Sequence, residues 1–537
     1  MSLAQRQSHR SAAPAGDAGS DDTRSLHDDE EDRLTPELVA LVGVAVAAGL
    51  VLRFVARTPL WLDEALSVNI AELPIGEIPG ALRRDGHPPL YYVMLHGWME
   101  AIGTSDIAVR ALSGVLSVAT LPLAWLAARR RGGRRLALIT VAVVAMAPFA
   151  LRYATETRMY AFVMFLVFAG YLLLDDIVRR RRSGWPRLAA IALVTTALLY
   201  THYWSLWLIG AVGTVLVWRS VRGGDQPTRR HARRALAAVF VGGLLFAPWL
   251  PTMIYQSTHT GTPWASPQRP TSVIAVTLGD FGGGGFRDAE FVGTVLAMLF
   301  ALGLFGRALA RDRIELFLKT EQQFRYEAVV VALTVAFGSI VAYATASAYA
   351  SRYAAVIFPL FVLVVAGGVR RFTDRWLQVA VLGVVLLLSI MGAYYGATAP
   401  RTQAGQIARS VADRAQAGDL VVYCPDQLGP AGERAFPSGL DQVVFPDFAS
   451  PERVDWVDYA ERNGEADPGV FANAAVARAG TGGIFLIWNG EYRGIEGKCE
   501  AVLDGLSAAR GGGQVIVPDG GSDYYEHAQL VWFPPAT

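Results

Sequence analysis

The chain has 537 residues, of which 53% are hydrophobic and only 18% are charged. Soluble domains carry about 25% charged residues, so this composition argues against a single soluble globular protein. The 48 basic and 47 acidic residues nearly cancel. A balanced chain lacks the positive surface with which proteins bind nucleic acid, and we therefore predict no nucleic-acid partner.

The N-terminal residues 1–34 are rich in Ser, Gly, Asp, Glu and Arg and have almost no large apolar side chains. Such a segment buries too little surface to offset the entropy of ordering, so we predict a disordered cytoplasmic arm. Acidic residues at 28–32 stand where a signal peptide has its basic region. We therefore expect the first apolar run to stay in the protein.

Apolar runs long enough to cross a bilayer recur from residue 36 to about residue 396 and predict a polytopic α-helical membrane protein with about eleven transmembrane helices. Together they make up a predicted transmembrane domain over residues 35–398. The predicted spans are residues 36–56, 106–128, 136–152, 158–178, 188–203, 204–218, 235–255, 290–310, 327–346, 353–369 and 376–396.

Arginine-rich loops predict the orientation, because short cytoplasmic loops retain Lys and Arg. These loops are residues 129–135, 179–187, 219–234, 307–325 and 370–375. All of them are cytoplasmic only if residues 57–105 form one outer loop in which residues 87–103 lie in the membrane interface as a helix. Residues 256–288 form a second outer loop, either a gating loop or a flexible spacer. The chain is then a plasma-membrane protein whose C-terminus lies on the extracytoplasmic side.

The composition changes at about residue 399 and predicts a small C-terminal α/β extracytoplasmic domain over residues 399–537. Cys424 and Cys499 belong to this exported part, where a disulfide is chemically allowed, and the sequence leaves open whether they are bridged. Several of its polar and aromatic side chains suggest acceptor recognition, and core packing or ordinary surface explains them equally well. These side chains are Trp488, Asn489, Glu491, Tyr492, Tyr524 and Tyr525. Strand-like runs at 420–423, 443–445, 484–488 and 515–517 alternate with helical stretches near 403–417 and 498–510.

Charged and aromatic side chains gather at the predicted outer ends of the helices. Ionisable groups are disfavoured near a membrane interior, so this gathering indicates a functional site. In chain order the side chains are Asp63, Glu64, His87, Arg110, Arg152, Glu156, Arg158, Tyr160, His202, Arg352 and Tyr353.

This assortment suits the transfer of a sugar from a lipid phosphate. Asp63 or Glu64 would take the proton of the acceptor hydroxyl. Arg158 and Arg352 are the leading candidates to stabilise the departing phosphate. Arg110 and Arg152 rank behind them. The plainer alternatives are a solvated acidic pair, arginines that snorkel to the interface, and an aromatic interface belt.

Five short motifs carry a resemblance to a known group. They are W-L-D-E at 61–64, H-P-P-L-Y-Y at 87–92, E-T-R-M-Y at 156–160, T-H-Y-W at 201–204 and S-R-Y at 351–353. In this order the chain resembles the C-type glycosyltransferase superfamily over roughly residues 36–396, in particular its protein O-mannosyltransferase and aminoarabinose-transferase-like branch.

The resemblance implies an inverting glycosyltransferase that uses a polyprenyl-phosphate sugar donor, mannose or a related sugar, at the outer membrane face. It makes Asp63 the catalytic base and Glu64 a neighbour that contacts donor or acceptor. Arg110 matches an arginine of the mannosyltransferases, while Arg158 and Arg352 would face the lipid phosphate as donor phosphate-binding residues.

The same resemblance places His87 beside the site, and we assign substrate binding to His87, Tyr160, His202 and Tyr353. The C-terminal domain departs from the pattern of the protein mannosyltransferases, whose extra domain lies in a middle loop. The acceptor therefore stays open between an extracytoplasmic glycan, a lipid and a protein.

Some relatives hold a divalent cation and others work without one. Asp63, Glu64, His87 and His202 have side chains that can ligate a divalent cation, but no spacing in this sequence fixes a ligand geometry. We therefore assign no metal ligands and leave metal dependence open. Two other functions stay open. One is a transporter or flippase for lipid-linked sugars, which the scarcity of polar residues at the centres of the spans disfavours. The other is a catalytically inactive membrane protein that binds glycan.

Overall fold

The computed structural model describes residues 34–536 except 262–264, 266, 312, 321, 346 and 438. The predicted cytoplasmic arm lies, apart from Leu34, outside the described residues. The described chain consists of a helical part, which ends at Thr398, and an α/β part that begins at Ala404. The predicted domain boundary at residue 399 falls between them.

Apolar helices dominate the first part. Side-chain oxygens of Thr35, Ser105, Asp225 and Asp374 cap four of them by accepting backbone N–H groups of the first turn. In chain order the helices are α1 (Pro36–Leu52), α2 (Leu62–Ala71), α3 (Ile78–Asp85), α4 (Leu90–Ile102), α5 (Asp106–Met146), α6 (Pro148–Ala154), α7 (Tyr160–Leu174), α8 (Trp185–Thr201), α9 (Ser205–Arg222), α10 (Gln226–Leu244), α11 (Leu250–His259), α12 (Pro270–Gly282), α13 (Ala289–Phe305), α14 (Arg325–Ala344), α15 (Phe358–Arg370) and α16 (Arg375–Thr398).

Five helical stretches of the described chain are long and apolar enough to cross a membrane. Shorter apolar helices, α1, α8, α13 and α15, accompany them. The protein is therefore a multi-pass membrane protein, and the predicted number of eleven spans stays a prediction. The long stretches are Asp106–Met146, Tyr160–Arg179, Gln226–His259, Arg325–Ala344 and Arg375–Thr398.

The two predicted spans 106–128 and 136–152 meet within α5. The backbone leaves helical geometry at Gly132 and Gly133, where Gly133 has φ 78°. Glycine adopts this left-handed region without the steric penalty of a Cβ atom. The pair therefore provides the break that the sequence predicts as a basic loop.

Two expectations are corrected. The predicted span 290–310 ends as a helix at Phe305, and its last residues form β1 (Gly306–Ala310), antiparallel to β2 (Arg313–Leu316). Strand pairing satisfies the backbone of this basic segment where the apolar run stops. The segment 256–288 contains α12 rather than only a loop. Gly282 and Gly293 let α12 and α13 approach so closely that a Cβ atom at either would collide with backbone of the other helix.

The arginine-rich loops meet at one end of the bundle, here called the basic end. Arg131 pairs with Glu327 at 2.8 Å, and Arg130 pairs with Asp176 at 3.2 Å. Gln323 donates a hydrogen bond to the carbonyl oxygen of Arg131. The side of the membrane that this end faces stays a prediction.

Residues 57–105 fold over the opposite end as α2, α3 and α4. Every residue of α2 except Asp63 is buried. Helix α4 covers most of the predicted interfacial helix 87–103 and is fixed to α5, since Trp98 Nε1 donates to the carbonyl oxygen of Ala108 at 2.8 Å. Its depth in a membrane stays a prediction.

The C-terminal part is a mixed sheet of five described strands in the order β4-β3-β5-β7-β6. Strands β4 and β5 are parallel to β3, and β7 is antiparallel to its neighbours β5 and β6. The predicted strand runs are confirmed, whereas β7 was missed. The strands are β3 (Leu420–Cys424), β4 (Asp441–Val444), β5 (Ile484–Trp488), β6 (Gln514–Val517) and β7 (Gln529–Phe533).

Helices cover both faces of this sheet, and a disulfide joins Cys424 of β3 to Cys499 of α21. The question that the sequence left open is thereby answered in favour of the bridge. The helices are α17 (Ala404–Ala412), α18 (Gly429–Ala435), α19 (Tyr459–Glu465), α20 (Pro468–Ala479) and α21 (Lys498–Arg510).

The C-terminal domain packs on α2. Trp61, Leu62 and Leu66 form one apolar cluster with residues of the segment that leads into α19. Asn69 Nδ2 donates to the carbonyl oxygen of Glu452 at 2.7 Å. The helix that carries the acidic doublet is therefore clamped between the bundle and the C-terminal domain.

Candidate active site

The acidic doublet lies in the first turn of α2, which begins at Leu62 after an extended Trp61. Carboxylates are stabilised there by the positive end of the helix dipole. Successive helical residues point about 100° apart, so the two side chains diverge. Asp63 faces Arg158 and Arg352, whereas Glu64 faces Arg110.

Asp63 lies between two guanidinium groups from distant parts of the chain. Its Oδ2 atom is 3.0 Å from Arg352 Nη1 and 3.9 Å from Arg158 Nη2. Arg158 comes from the turn between α6 and α7, and Arg352 from the 3₁₀ helix Ser351–Val356. The predicted convergence of the doublet with these arginines is therefore present, while the chemical roles stay predictions.

The charge environment of Asp63 favours the carboxylate. Burial by itself raises its pKa, but the positive charges of Arg352 and Arg158, with contributions from His87 and Arg152, outweigh burial and lower the pKa below its usual value. Asp63 is therefore ionised and able to accept a proton, although its pairing with cations weakens it as a base.

Glu64 and Arg110 form a closed ion pair. Arg110 Nε lies 2.8 Å from Glu64 Oε1, and Nη2 lies 2.6 Å from Oε2. The Thr157 amide donates to Oε1 at 2.9 Å, and Arg110 also donates to the carbonyl oxygens of Thr58 and Pro59. Burial by itself raises the pKa of Glu64, but Arg110, Arg401 and the Thr157 amide outweigh burial and lower the pKa below its usual value.

This pairing changes our interpretation of both residues. Glu64 is fully buried and Arg110 is 4% exposed, and the guanidinium directs its donors to protein acceptors. The geometry favours a positioning role, in which the pair fixes the start of α2, over direct contact with phosphate by Arg110 or with substrate by Glu64.

His87 supports Arg158 from the side of the outer loop. Its Nδ1 atom is 2.8 Å from Asp85 Oδ2, and its Nε2 atom is 2.9 Å from Arg158 Nη2. Tyr92 Oη donates to the same Asp85 oxygen at 3.2 Å. The chain of contacts from Asp85 through His87 orients the guanidinium that faces Asp63.

Tyr160, His202 and Tyr353 form a row of rings next to these arginines. The ring centroids of Tyr160 and His202 are 5.6 Å apart, and those of His202 and Tyr353 are 5.2 Å apart. Tyr160 and His202 are buried, and Tyr353 is half-buried. The structure thus brings together all three predicted residues, and substrate binding by them stays a prediction.

Sequence reasoning assigned no role to Glu156 and did not single out Arg401. Glu156 is 1% exposed, and neither carboxylate oxygen accepts a hydrogen bond from the described residues. Arg401, directly after α16, lies 3.6 Å from both Glu156 and Glu64. Burial raises the pKa of Glu156, and the opposing effect of Arg401 and Arg152 does not reverse the shift. The E-T-R-M-Y motif was the sequence feature that pointed to Glu156, whereas no sequence feature pointed to Arg401.

Among the described residues, no group of three or more His, Cys, Asp or Glu side chains is arranged to hold a metal ion. An apolar cavity of about 150 Å³ lies between α7, α8, α9 and α14, and Arg131, Arg219 and Glu327 of the basic end are among its lining residues. No residue of the ring row and neither of the arginines that face Asp63 lines it.

The chain matches, over residues 86–252, the sequence model of a family described as dolichyl-phosphate-mannose-protein mannosyltransferase. This match covers less than half of the chain. No curated protein matches the chain significantly in sequence.

The fold is similar to that of ArnT from Cupriavidus metallidurans in the apo state, with a TM-score of 0.59 and 12% identity over 93% of this chain and 99% of that one. The same protein bound to undecaprenyl phosphate gives a TM-score of 0.56 and 12% identity over 92% and 99%. The resemblance to the C-type glycosyltransferase superfamily is confirmed, and its mannosyltransferase and ArnT branches both fit.

Proposed function

We propose that the protein is an inverting glycosyltransferase that moves a sugar, mannose or a related one, from a polyprenyl-phosphate donor to an extracytoplasmic glycan, lipid or protein. The family match is named for a dolichyl-phosphate-mannose donor, and the ArnT fold neighbour was solved with undecaprenyl phosphate. Both names point to a sugar carried on a polyprenyl phosphate.

The observation that carries the proposal is the group formed by Asp63, Arg158 and Arg352. A phosphate monoanion or dianion binds guanidinium groups through short charge-assisted hydrogen bonds. A donor phosphate that approaches Arg352 and Arg158 competes with Asp63 for the same donors. Phosphate binding would thereby free the carboxylate and remove much of the attraction that lowers its pKa.

The chemistry follows from this exchange. Asp63 accepts the proton of the acceptor hydroxyl as the hydroxyl oxygen attacks the anomeric carbon. The bond between that carbon and the phosphate oxygen breaks, and its electron pair leaves with the polyprenyl phosphate. Arg158 and Arg352 stabilise the negative charge that develops on the phosphate. Attack opposite to the leaving group inverts the anomeric centre.

The positions of these groups depend on their neighbours. The pair of Glu64 and Arg110 fixes the first turn of α2, and His87 orients Arg158. Such supports matter because misplacement of a reacting group by about 1 Å lowers rates about 10²-fold.

The two ends of the bundle support an extracytoplasmic position for the site. The basic end, where Arg131 pairs with Glu327, lies at the other end of the bundle from Asp63. Short loops rich in Lys and Arg are retained on the cytoplasmic side, so the site would face the opposite side.

The experiment uses full-length protein reconstituted in liposomes with a panel of radiolabelled polyprenyl-phosphate sugars and cell-envelope acceptor fractions. The wild type is expected to form a labelled glycoside. Asp63→Asn, which keeps the size of the side chain but accepts no proton, is expected to lower turnover about 10²- to 10⁴-fold. Asp176→Asn at the basic end is the matched control and should transfer at the parental rate.

Parental turnover by Asp63→Asn would refute the assignment of the base. Movement of labelled lipid across the bilayer without any glycosidic product would refute the transferase and favour a transporter.

A further inference from the structure

The turn between β6 and β7 of the C-terminal domain reaches the candidate site. Glu526 pairs through its backbone with the segment that follows α16, since its amide donates to Arg401 and its carbonyl accepts from Gln403. Arg401 in turn donates to the carbonyl oxygens of Arg152 and Thr155. The turn is therefore fixed to the end of the bundle that holds Arg158.

The same turn contacts the helix that carries the proposed base. The amide of Leu62 donates to Glu526 Oε2 at 3.3 Å, and Glu526 is 4% exposed. Leu62 directly precedes Asp63. A residue of the C-terminal domain thus lies against the start of α2 on one side, while Glu64 and Arg110 hold that helix on the other.

Tyr525 stands at the surface of this junction. Its ring meets that of Trp61 edge to face, with centroids 5.0 Å apart. Trp61 is 4% exposed and lies 6.0 Å from the Arg352 guanidinium, whereas Tyr525 is 65% exposed. An open aromatic face therefore borders the group around Asp63.

The turn that carries this ring also carries polar side chains. His527, two residues after Tyr525, pairs through Nδ1 with Asp519 at 2.6 Å, and its Nε2 atom lies 3.7 Å from Glu491, whose side chain is 81% exposed. A sugar ring suits such a surface, because it offers an apolar C–H face to the aromatic ring and hydroxyl groups to polar side chains of the same turn. An acyl chain offers those side chains no hydrogen bonds.

We propose that Tyr525 and the supporting Trp61 form the acceptor subsite and that the acceptor is a glycan. This inference rests on the proposed function. A sugar of the acceptor lies on the exposed face of Tyr525 and directs its hydroxyl to Asp63. The donor occupies the opposite side, with its phosphate at Arg158 and Arg352. The C-terminal domain thus contributes the acceptor half of the site.

The test separates acceptor binding from donor binding. Full-length protein in liposomes receives labelled polyprenyl-phosphate sugar and the glycan, lipid and protein fractions of the cell envelope. Tyr525→Ala is expected to raise KM for the glycan fraction about 3- to 10-fold, as expected for loss of an aromatic contact. KM for the donor should not change. Tyr525→Phe and Tyr525→Trp keep the ring and should retain the parental acceptor KM.

Tyr394→Ala is the matched control, since Tyr394 on α16 is 60% exposed but lies outside the proposed subsite. An unchanged acceptor KM in Tyr525→Ala would overturn the subsite. Label that enters the protein or lipid fraction, with the glycan fraction unlabelled, would overturn the glycan acceptor and leave the proposed transferase standing. Wild-type protein that labels no fraction would overturn the transferase, and this inference with it.

Discussion

The two ends of the helical bundle differ in how their carboxylates are paired and how exposed they are. At the basic end Glu327 accepts hydrogen bonds from Arg131 at 3.0 Å and from Tyr171 at 2.6 Å, and both members of the ion pair are nearly inaccessible. At the site end Asp63 faces two guanidiniums, Arg352 at 3.0 Å and Arg158 at 3.9 Å, and its side chain is 16% exposed.

The difference separates structural charge from functional charge. At the basic end the buried carboxylate of Glu327 accepts from an arginine and a tyrosine, so its charge is matched inside the protein. At the site end one carboxylate is shared by two arginines, and the side chain of Asp63 keeps an accessible edge that a ligand can reach. We therefore propose a structural role for the pair at the basic end and a functional role for the group around Asp63, and the following predictions test that contrast.

The largest effect on stability is expected at the basic end. Glu327→Ala leaves Arg131 buried without its carboxylate, which should lower the free energy of unfolding by about 3–5 kcal/mol. Thermal unfolding in detergent measures the change. Glu315→Ala, which removes an exposed partner of Arg313, should cost at most about 1 kcal/mol. Equal losses in the two variants would contradict the contrast.

The next largest effect concerns the phosphate contacts. Arg158→Gln and Arg352→Gln should each lower kcat/KM about 10²- to 10³-fold, because an amide does not stabilise the charge on the leaving phosphate. Arg179→Gln, at the basic end, should keep parental kinetics. Unchanged kinetics in both site variants would remove Arg158 and Arg352 from the proposed mechanism.

The smallest effect is a displacement of the pH profile. In the free enzyme Arg352 and Arg158 hold the pKa of Asp63 below its usual value, and this pKa governs the acid limb of kcat/KM. A bound donor phosphate offsets those cations, so the acid limb of kcat should lie at higher pH. Arg352→Gln should move the limb of kcat/KM upward in the same direction. If the acid limbs of kcat and kcat/KM lay at the same pH in the wild type, that result would contradict the proposal that phosphate replaces Asp63 as the partner of the two arginines.

Local sequence was sufficient for much of the architecture. Apolar runs predicted the helices, and the run 484–488 predicted β5 at its observed bounds. The hairpin after Phe305 was missed because hydrophobicity does not register strand pairing in a basic segment. Helix α12 was missed because its packing depends on glycines in a neighbouring helix.

By itself the sequence determined the membrane character of the chain, the α/β character of its last part and the residue types of the site, since these depend on local composition and periodicity. Only the tertiary structure decided that Arg110 pairs with Glu64 while Arg158 and Arg352 face Asp63. It also brought Arg401 and Tyr525 to the same end of the bundle. Pairings between segments that are distant along the chain are set by how helices and sheet pack, and no spacing along the chain encodes them.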